Sequence, residues 1–496
     1  MFPQNFLLRK LKAHRNQLLL VLLAASSVAY ASIGILSWKF AVVGDEWAFF
    51  DFAKDLARRH LLVNPFSMRG VYGVHRIFES YSQAIFLFLF GARFAVWKFS
   101  SVFMLFPSIL LLYAFVRRRY EPKIAWFSVI FLAFSKYLGN FFKIGYAHSF
   151  CFCLFLLCLY WAHELLTVPT KRNAVKLGAG LGLSFFAYIG PLFPFFFAPF
   201  GLALLRRERQ KALPLLARVF GVYLLFFGLG LVSTPRTEWL RGLEATPLNP
   251  QINATRQIAL NIGRNFLLFF QNFDYVYNHF VAGPYLDGMT RWLALLGIVL
   301  SLCAFRQKGG LLLALWIFLC IGLGLISPYF YIESTRGIFY IPYGAIFAGI
   351  GLDWLRRRIG QGWSKALLPA VLLAAISLNI YEAHVGLFAK VGYTRTALIL
   401  RELVAANQRQ RAVLVFHSDR YEFNPGYVLV FMEIYGIPPA RFALTQSLQE
   451  ACVSEREKII LFQDDPLWRQ TTFAEACAGF QPKGTVSAIQ GAWNSP

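Results

Sequence analysis

Residues 99–119 read FSSVFMLFPSILLLYAFVRRR. From Phe99 to Val116 there is no charged residue, and three arginines follow at once. A helix that crosses a bilayer needs ~20 mostly apolar residues. Arginines at its end mark the side that stays inside. Working outward, further apolar runs occur at 17–37, 124–139, 148–167, 174–189, 191–205, 213–233, 290–305, 310–327, 336–353 and 366–381. With 99–116 they predict eleven spans. The run 82–94 is shorter and predicts a helix lying at the interface. Counting it as a span would put Arg117, Arg118 and Arg119 outside. Counting eleven, with the N-terminus inside, puts every basic cluster inside: Arg9/Lys10/Lys12/Arg15, Arg117–Arg119/Lys123, Lys171/Arg172/Lys176, Arg206/Arg207/Arg209/Lys211, Arg306/Lys308 and Arg356–Arg358/Lys365.

Composition agrees. Of 496 residues, 57% are hydrophobic and 15% charged, against ~25% charged in soluble proteins. Mean hydropathy is +0.51. This excludes a soluble enzyme, a disordered chain and a disulfide scaffold. The net charge of +24 suggests a nucleic-acid binder until its location is considered. Residues 390–496 hold 11 Lys/Arg and 10 Asp/Glu, so the excess lies among the apolar segments. It is a topological charge, and no nucleic acid is expected as a partner. The first apolar run is long, and Val43-Gly44-Asp45-Glu46 offers no signal-peptidase site, so it should remain as an anchor. Cys151, Cys153, Cys158, Cys303 and Cys320 fall in apolar runs and read as packing residues. Cys452 and Cys477 lie in the polar tail, where an oxidising compartment would let them pair.

The outer face then receives loop 38–98, the short loop 140–147, the long loop 234–289 and the tail. The tail alternates helical spacing at 394–408, 427–435 and 467–479 with apolar strands at 412–416 and 458–462. That pattern predicts a small α/β domain over 386–496 behind a membrane domain over 1–385. It holds no glycine-rich phosphate loop. Eleven of the fifteen acids before residue 390 fall outside, which directs any chemistry to that face.

Several outer residues suit chemistry. Asp45 and Glu46 are adjacent carboxylates just past the first span. One can serve as a general base while its neighbour orients it or binds a cation; as a structural feature, Asp45 caps a following helix. His75 and Arg76 can meet an anion or stay solvated in their loop. Lys143 and His148 flank the start of the fourth span, and a cation there either holds a lipid phosphate or snorkels to headgroups. Arg336 opens the tenth span on the side where the charge rule asks for no cation. Tyr329 and Tyr331 precede it, a setting suited to phosphate, although Glu333 is a competing partner. Asn253-Ala254-Thr255 matches a glycosylation acceptor. No zinc-protease, paired-cysteine or calcium-loop motif occurs, and no metal is assigned; a divalent cation at the acidic pair stays open.

The ordered set of elements resembles a known family. An acidic pair follows the first span; then come Gln83-Ala84-Ile85-Phe86-Leu87-Phe88-Leu89-Phe90-Gly91, Leu111–Arg118, Phe142-Lys143-Ile144-Gly145, Gly180–Tyr188 and Arg336-Gly337-Ile338-Phe339-Tyr340-Ile341-Pro342-Tyr343. Over most of 1–385 this looks like bacterial GT-C glycosyltransferases of the protein O-mannosyltransferase and lipid A aminoarabinose transferase superfamily. The tail loosely resembles the small extracytoplasmic domains that some members carry. The resemblance implies a multi-pass protein of the bacterial inner membrane. It implies an inverting transferase that takes a sugar from a polyprenyl-phosphate donor at the periplasmic face. Asp45 would be the base with Glu46 beside it, Lys143 and Arg336 would hold the donor phosphate, and His75, Arg76, His148 and Tyr331 are candidates for substrate contact. Two stretches depart from the pattern. Tyr146-Ala147-His148 stands where many relatives have an acid, and a proline-rich stretch is reduced to Val71–His75. The acceptor, whether lipid, polysaccharide or protein, is therefore left open.

Two other classes compete. A transporter or flippase of polyprenyl-linked sugar explains the spans but predicts charges within them. Arg218 is the exception here, near a span's inner end. A scaffold explains the tail but gives Asp45, Glu46 and Arg336 no task.

Overall fold

The computed structural model describes residues 4–36, 46–66, 77–233, 254–270, 284–305, 309–325, 334–359 and 361–386, with 404–405, 407–409, 413–417, 437–438, 442–445, 449 and 457–461 beyond them. The chain divides into two compact units, Met1–Ile35 with Phe52–Leu387, and Leu36–Asp51 with Phe388–Pro496.

The first unit is helical. Its helices begin with α1 (Gln4–Ser32), and α2 (Glu46–Arg58) runs into it. Then come α3 (Ile77–Phe90), α4 (Phe94–Phe103), α5 (Leu105–Arg119), α6 (Pro122–Ala133), α7 (Lys136–Ile144), α8 (His148–Thr167) and α9 (Lys171–Ser184). After them follow α10 (Phe193–Phe196), α11 (Ala198–Arg207), α12 (Arg209–Ser233) and α13 (Ala254–Leu267). The last are α14 (Gly288–Cys303), α15 (Gly310–Leu325), α16 (Ser334–Gly337), α17 (Ile341–Arg358) and α18 (Gln361–Tyr381).

Among the described residues, each of the eleven apolar runs falls largely on helix. Among the described residues, five helical segments are long and apolar enough to cross a membrane: Phe94–Arg119, His148–Thr167, Arg209–Ser233, Ile338–Arg358 and Ala366–Gly386. The pair α6 and α7, bent by 47°, makes a sixth if taken together. The chain is a membrane protein. The other runs sit on helices such as α9, with 14 residues, and α14, with 16, so length alone does not reach eleven.

The α6–α7 bend is written locally. Pro122 starts α6, where a missing N–H costs nothing. Ser135 interrupts it, and its hydroxyl accepts from Leu138 N at 3.3 Å to start α7 in a new direction. At the far end Gly145 holds φ of +92°. A Cβ there would press into the Trp97 ring at 2.6 Å. Gly145→Ala therefore combines backbone strain, about 1–2 kcal/mol for the left-handed region, with displacement of a wholly buried tryptophan. A fall in the thermal unfolding midpoint of the purified protein is the expected result.

The core is built around α17, which packs against α14 and α6 and is buried on nearly all sides from Ile341 to Asp353. By contrast α12 and α18 carry their large apolar side chains outward, among them Phe220, Leu225, Val232, Leu373 and Tyr381. That inversion of the usual pattern is what lipid requires.

Two shorter helices are inverted further. In α3 the buried face holds Glu79, Ser80 and Gln83, while Phe88, Leu89 and Phe90 are at least half exposed. In α13, inside the stretch expected to be a loop over 234–289, Gln257, Asn261 and Asn265 recur every four residues and are buried, while Leu260 and Leu267 face out. Asn265 Nδ2 donates to the Cys320 carbonyl of α15 at 2.8 Å.

In the second unit three strands are described: β1 (Val413–His417), β2 (Phe442–Thr445) and β3 (Glu457–Leu461). They form one parallel sheet in the order β2-β1-β3, with Val413 opposite both Phe442 and Glu457. The expected strands 412–416 and 458–462 coincide with β1 and β3. The expected helices at 427–435 and 467–479, Asn253, Cys452 and Cys477 lie outside the described residues.

Candidate functional site

The short helix α7 organises the site. Lys143 stands in its last turn, where the negative end of the helix dipole favours a cation. Its side chain is wholly buried. An ammonium removed from water must be compensated by dipoles or charge. Asn140, one turn earlier, accepts from Lys143 Nζ through Oδ1 at 3.1 Å. His384 brings Nδ1 to 3.5 Å from the same nitrogen. The other imidazole nitrogen, Nε2, is buried and has no hydrogen-bond partner.

His384 comes from a wide π-type turn, Glu382–Gly386, that extends α18. This turn and the end of α18 are tied to α7 at three further points. Asn140 Nδ2 donates to the Ala383 carbonyl at 3.3 Å, and Lys136 pairs with Glu382. The Lys136 backbone N–H donates to Asn379 Oδ1 at 3.0 Å. Asn379 in turn donates through Nδ2 to Asp287 Oδ2 at 2.6 Å, and Asp287 Oδ1 caps α14 by accepting from Met289 N and Thr290 N. Tyr30 of α1 sets its ring edge against His384, with centroids 5.0 Å apart. Four distant segments of sequence thus converge on one cation.

Arg336 lies across an aromatic bridge. Tyr137 of α7 and Tyr285 stack with centroids 4.2 Å apart. A Cβ on Gly337 would overlap the Tyr285 hydroxyl, so the residue after Arg336 must be glycine for the two segments to meet. Burial pushes the Tyr285 phenol up from its ordinary value, against the lowering effect of its hydrogen bond with Tyr137. The hydroxyl therefore keeps its proton. Two residues further on, Phe339 packs with Phe152 of α8, which packs with Phe142 beside Lys143. Arg336 is half-buried at the end of this bridge.

His148 is drawn into a different pairing. Its Nδ1 lies 3.3 Å from Glu79 Oε2 on α3, with both side chains almost completely buried. Tyr188 stacks on the imidazole at 3.8 Å between centroids. Nearby, Gln83 Nε2 donates to the Gly145 carbonyl at 2.6 Å. Glu79, 69 positions before His148, thus brings a carboxylate from α3 to the segment that follows Gly145. His148, a candidate for substrate contact in the sequence, is placed between Glu79 of α3 and Tyr188, at the start of α8.

Glu46 opens α2, while Asp45, His75, Arg76 and Tyr331 lie outside the described residues. Among the described residues no group of three or more His, Cys, Asp or Glu is placed to hold a metal ion. Sequence reasoning missed Asn140, His384, Asn379 and Asp287. The only available signal was polarity where α18 should have been apolar, at Asn379, Glu382 and His384.

No family model matches the chain, and a search of curated proteins gives no match. Solved structures do match. ArnT from Cupriavidus metallidurans in the apo state superposes with a TM-score of 0.54 at 11% identity, covering 93% of this chain and 89% of that one. The same protein bound to undecaprenyl phosphate gives 0.52 at 12% identity, covering 89% and 92%. The archaeal oligosaccharyltransferase AglB from Archaeoglobus fulgidus, in complex with an inhibitory peptide and a dolichol-phosphate, gives 0.50 at 14% identity. There the match covers 84% of this chain and 60% of the other. The chain therefore spans about 60% of the length of the archaeal enzyme. It shares the GT-C fold of both, which at these identities is a statement about fold.

Proposed function

We propose that the protein is a membrane glycosyltransferase that moves a sugar from a polyprenyl-phosphate donor to an acceptor on the outer face of a bacterial inner membrane. The observation that carries this reading is the buried Lys143, fixed by Asn140 and His384 at the end of α7 in a fold shared with ArnT. A held, desolvated ammonium suits a lipid phosphate, and ArnT has been solved with undecaprenyl phosphate. Arg336, reached across Tyr137 and Tyr285, is assigned to the same phosphate.

The chemistry needs little else, because the donor carries its own leaving group. Asp45 takes the proton from an acceptor hydroxyl or amine, with Glu46 orienting it or holding a divalent cation. The freed oxygen or nitrogen attacks the anomeric carbon from the side opposite the phosphate and inverts it. The carbon–oxygen bond to phosphate breaks, the phosphate keeps the electron pair, and Lys143 and Arg336 offset its charge. His75, Arg76, His148 and Tyr331 remain candidates for substrate contact. In this reading residues 1–385 form the catalytic domain with eleven spans and a cytoplasmic N-terminus, and 386–496 form a periplasmic α/β domain.

The test is transfer of label from radiolabelled polyprenyl-phosphate sugars, with protein reconstituted in lipid and a membrane extract as acceptor source. Label should leave the donor and appear in a lipid, polysaccharide or protein. Donor binding without turnover, equal in wild type and Asp45→Asn, would instead indicate a carrier. Arg336→Ala should raise the KM for donor about ten- to a hundredfold, the worth of a charge-assisted hydrogen bond, and leave the acceptor KM unchanged.

A further inference from the structure

The opposite end of the bundle holds a second concentration of charge that the transfer reaction does not use. A cavity of about 540 Å³ opens between α8, α9 and α12, lined by Trp161, Lys171, Arg172, Lys176 and Arg218 among its larger side chains. No acid lines it. Lys171 and Arg172 are exposed in the first turn of α9, where free backbone N–H groups also favour an anion. Lys176 reaches Glu164 at 3.3 Å, but Glu164 is shared with Arg118 at 3.2 Å. The local balance stays strongly positive.

The position of Arg218 along the helices distinguishes this open cavity from an ordinary basic rim. Val219 of α12 packs on Gly178 of α9, so Arg218 stands level with the second turn of α9. That is about 10 Å in from Lys171 at 1.5 Å per residue. Arg218 is half-buried there, on a helix otherwise surrounded by exposed apolar side chains. The positive-inside rule accounts for cations at span ends but not for one drawn inward along a span, where charge is costly without a counter-charge.

We infer that this cavity binds the phosphate headgroup of an anionic membrane phospholipid, with Lys171 and Arg172 at its mouth and Arg218 at its floor. The occupant is a membrane lipid because Arg218 stands about 10 Å further along the helices than Lys171, on a helix that turns apolar side chains outward. Its acyl chains then lie along exposed apolar residues such as Val175 and Phe220. The site is independent of the transfer reaction.

Native mass spectrometry of the purified full chain in mild detergent tests this, with phosphatidylglycerol, phosphatidylethanolamine and inorganic phosphate as probes. Phosphatidylglycerol should be retained in preference to phosphatidylethanolamine. Retention should fall about tenfold or more in Lys171→Gln/Arg218→Gln, and about fivefold in Arg172→Gln, whose exposed side chain puts folding at no risk. Arg117→Gln, an exposed arginine outside the cavity, should bind as wild type. Equal retention by wild type and Arg172→Gln would overturn the proposal. Displacement of the lipid by millimolar inorganic phosphate would overturn it too, in favour of a free-phosphate site.

Discussion

Replacing Lys143 by Met should lower kcat/KM for sugar transfer about a hundred- to a thousandfold while leaving the protein as stable as before. The two halves of this result have different causes. Lys143 is wholly buried, and Asn140 Oδ1 and His384 Nδ1, neither of them on an acid, stand within 3.5 Å of its Nζ. A buried charge contributes little to stability, and an apolar replacement of similar volume is often neutral or stabilising. Methionine keeps the length and loses the charge. The departing phosphate, by contrast, gains negative charge as its bond to the sugar breaks. Losing one preorganised donor at such a position costs about 10²–10³ in rate. Thermal unfolding and donor turnover measured on the same preparation separate the effects. A variant that loses stability and activity in parallel would mean that Lys143 is a packing residue.

Asp45→Asn should reduce turnover by about 10²–10⁴, the usual worth of a positioned general base. Asparagine keeps the shape and the capability to cap α2 at Glu46, so folding and insertion should be preserved. Donor binding should also persist, because the proposed phosphate contacts belong to Lys143 and Arg336. The decisive readout is a single-turnover rate at saturating donor. A rate within a few-fold of wild type would remove Asp45 from the mechanism.

Much of the architecture was legible because membranes impose a simple code. Apolar length and flanking arginines marked the helical runs, and the short run 82–94 falls mostly on α3, a helix of 14 residues. The bend at Ser135 was not legible, since residues 124–139 read as one apolar stretch. It takes a serine hydroxyl capping its own chain to break that stretch into α6 and α7. At the candidate site, Arg336 stood out as a cation on the side where the charge rule required none, while Lys143 read either as a phosphate ligand or as a snorkelling cation. Their surroundings could not be read: Asn379, Glu382 and His384 reach α7 across more than 200 positions, and Asp287 joins them only through a cap on α14. Nothing in the sequence pointed to the pairing of Glu79 with His148 in the segment after Gly145.

The inverted helices α3 and α13 have a mechanical consequence. Each keeps its polar atoms against the protein and turns leucine or phenylalanine away from it. Among the described residues much of that face is exposed, so the apolar collapse that fastens surface helices in water holds neither helix fully. Acyl chains serve as the missing half of the fastening, and the hydrogen bonds of Gln83 and Asn265 supply the rest. The surrounding amphiphile is therefore a structural component of the protein. Its chain length and packing set how firmly α3, and through it the Glu79–His148 pair and the start of α8, is held in place. Two preparations of identical sequence in different lipids should differ in rigidity at this edge of the bundle while their centre, around α17, stays the same.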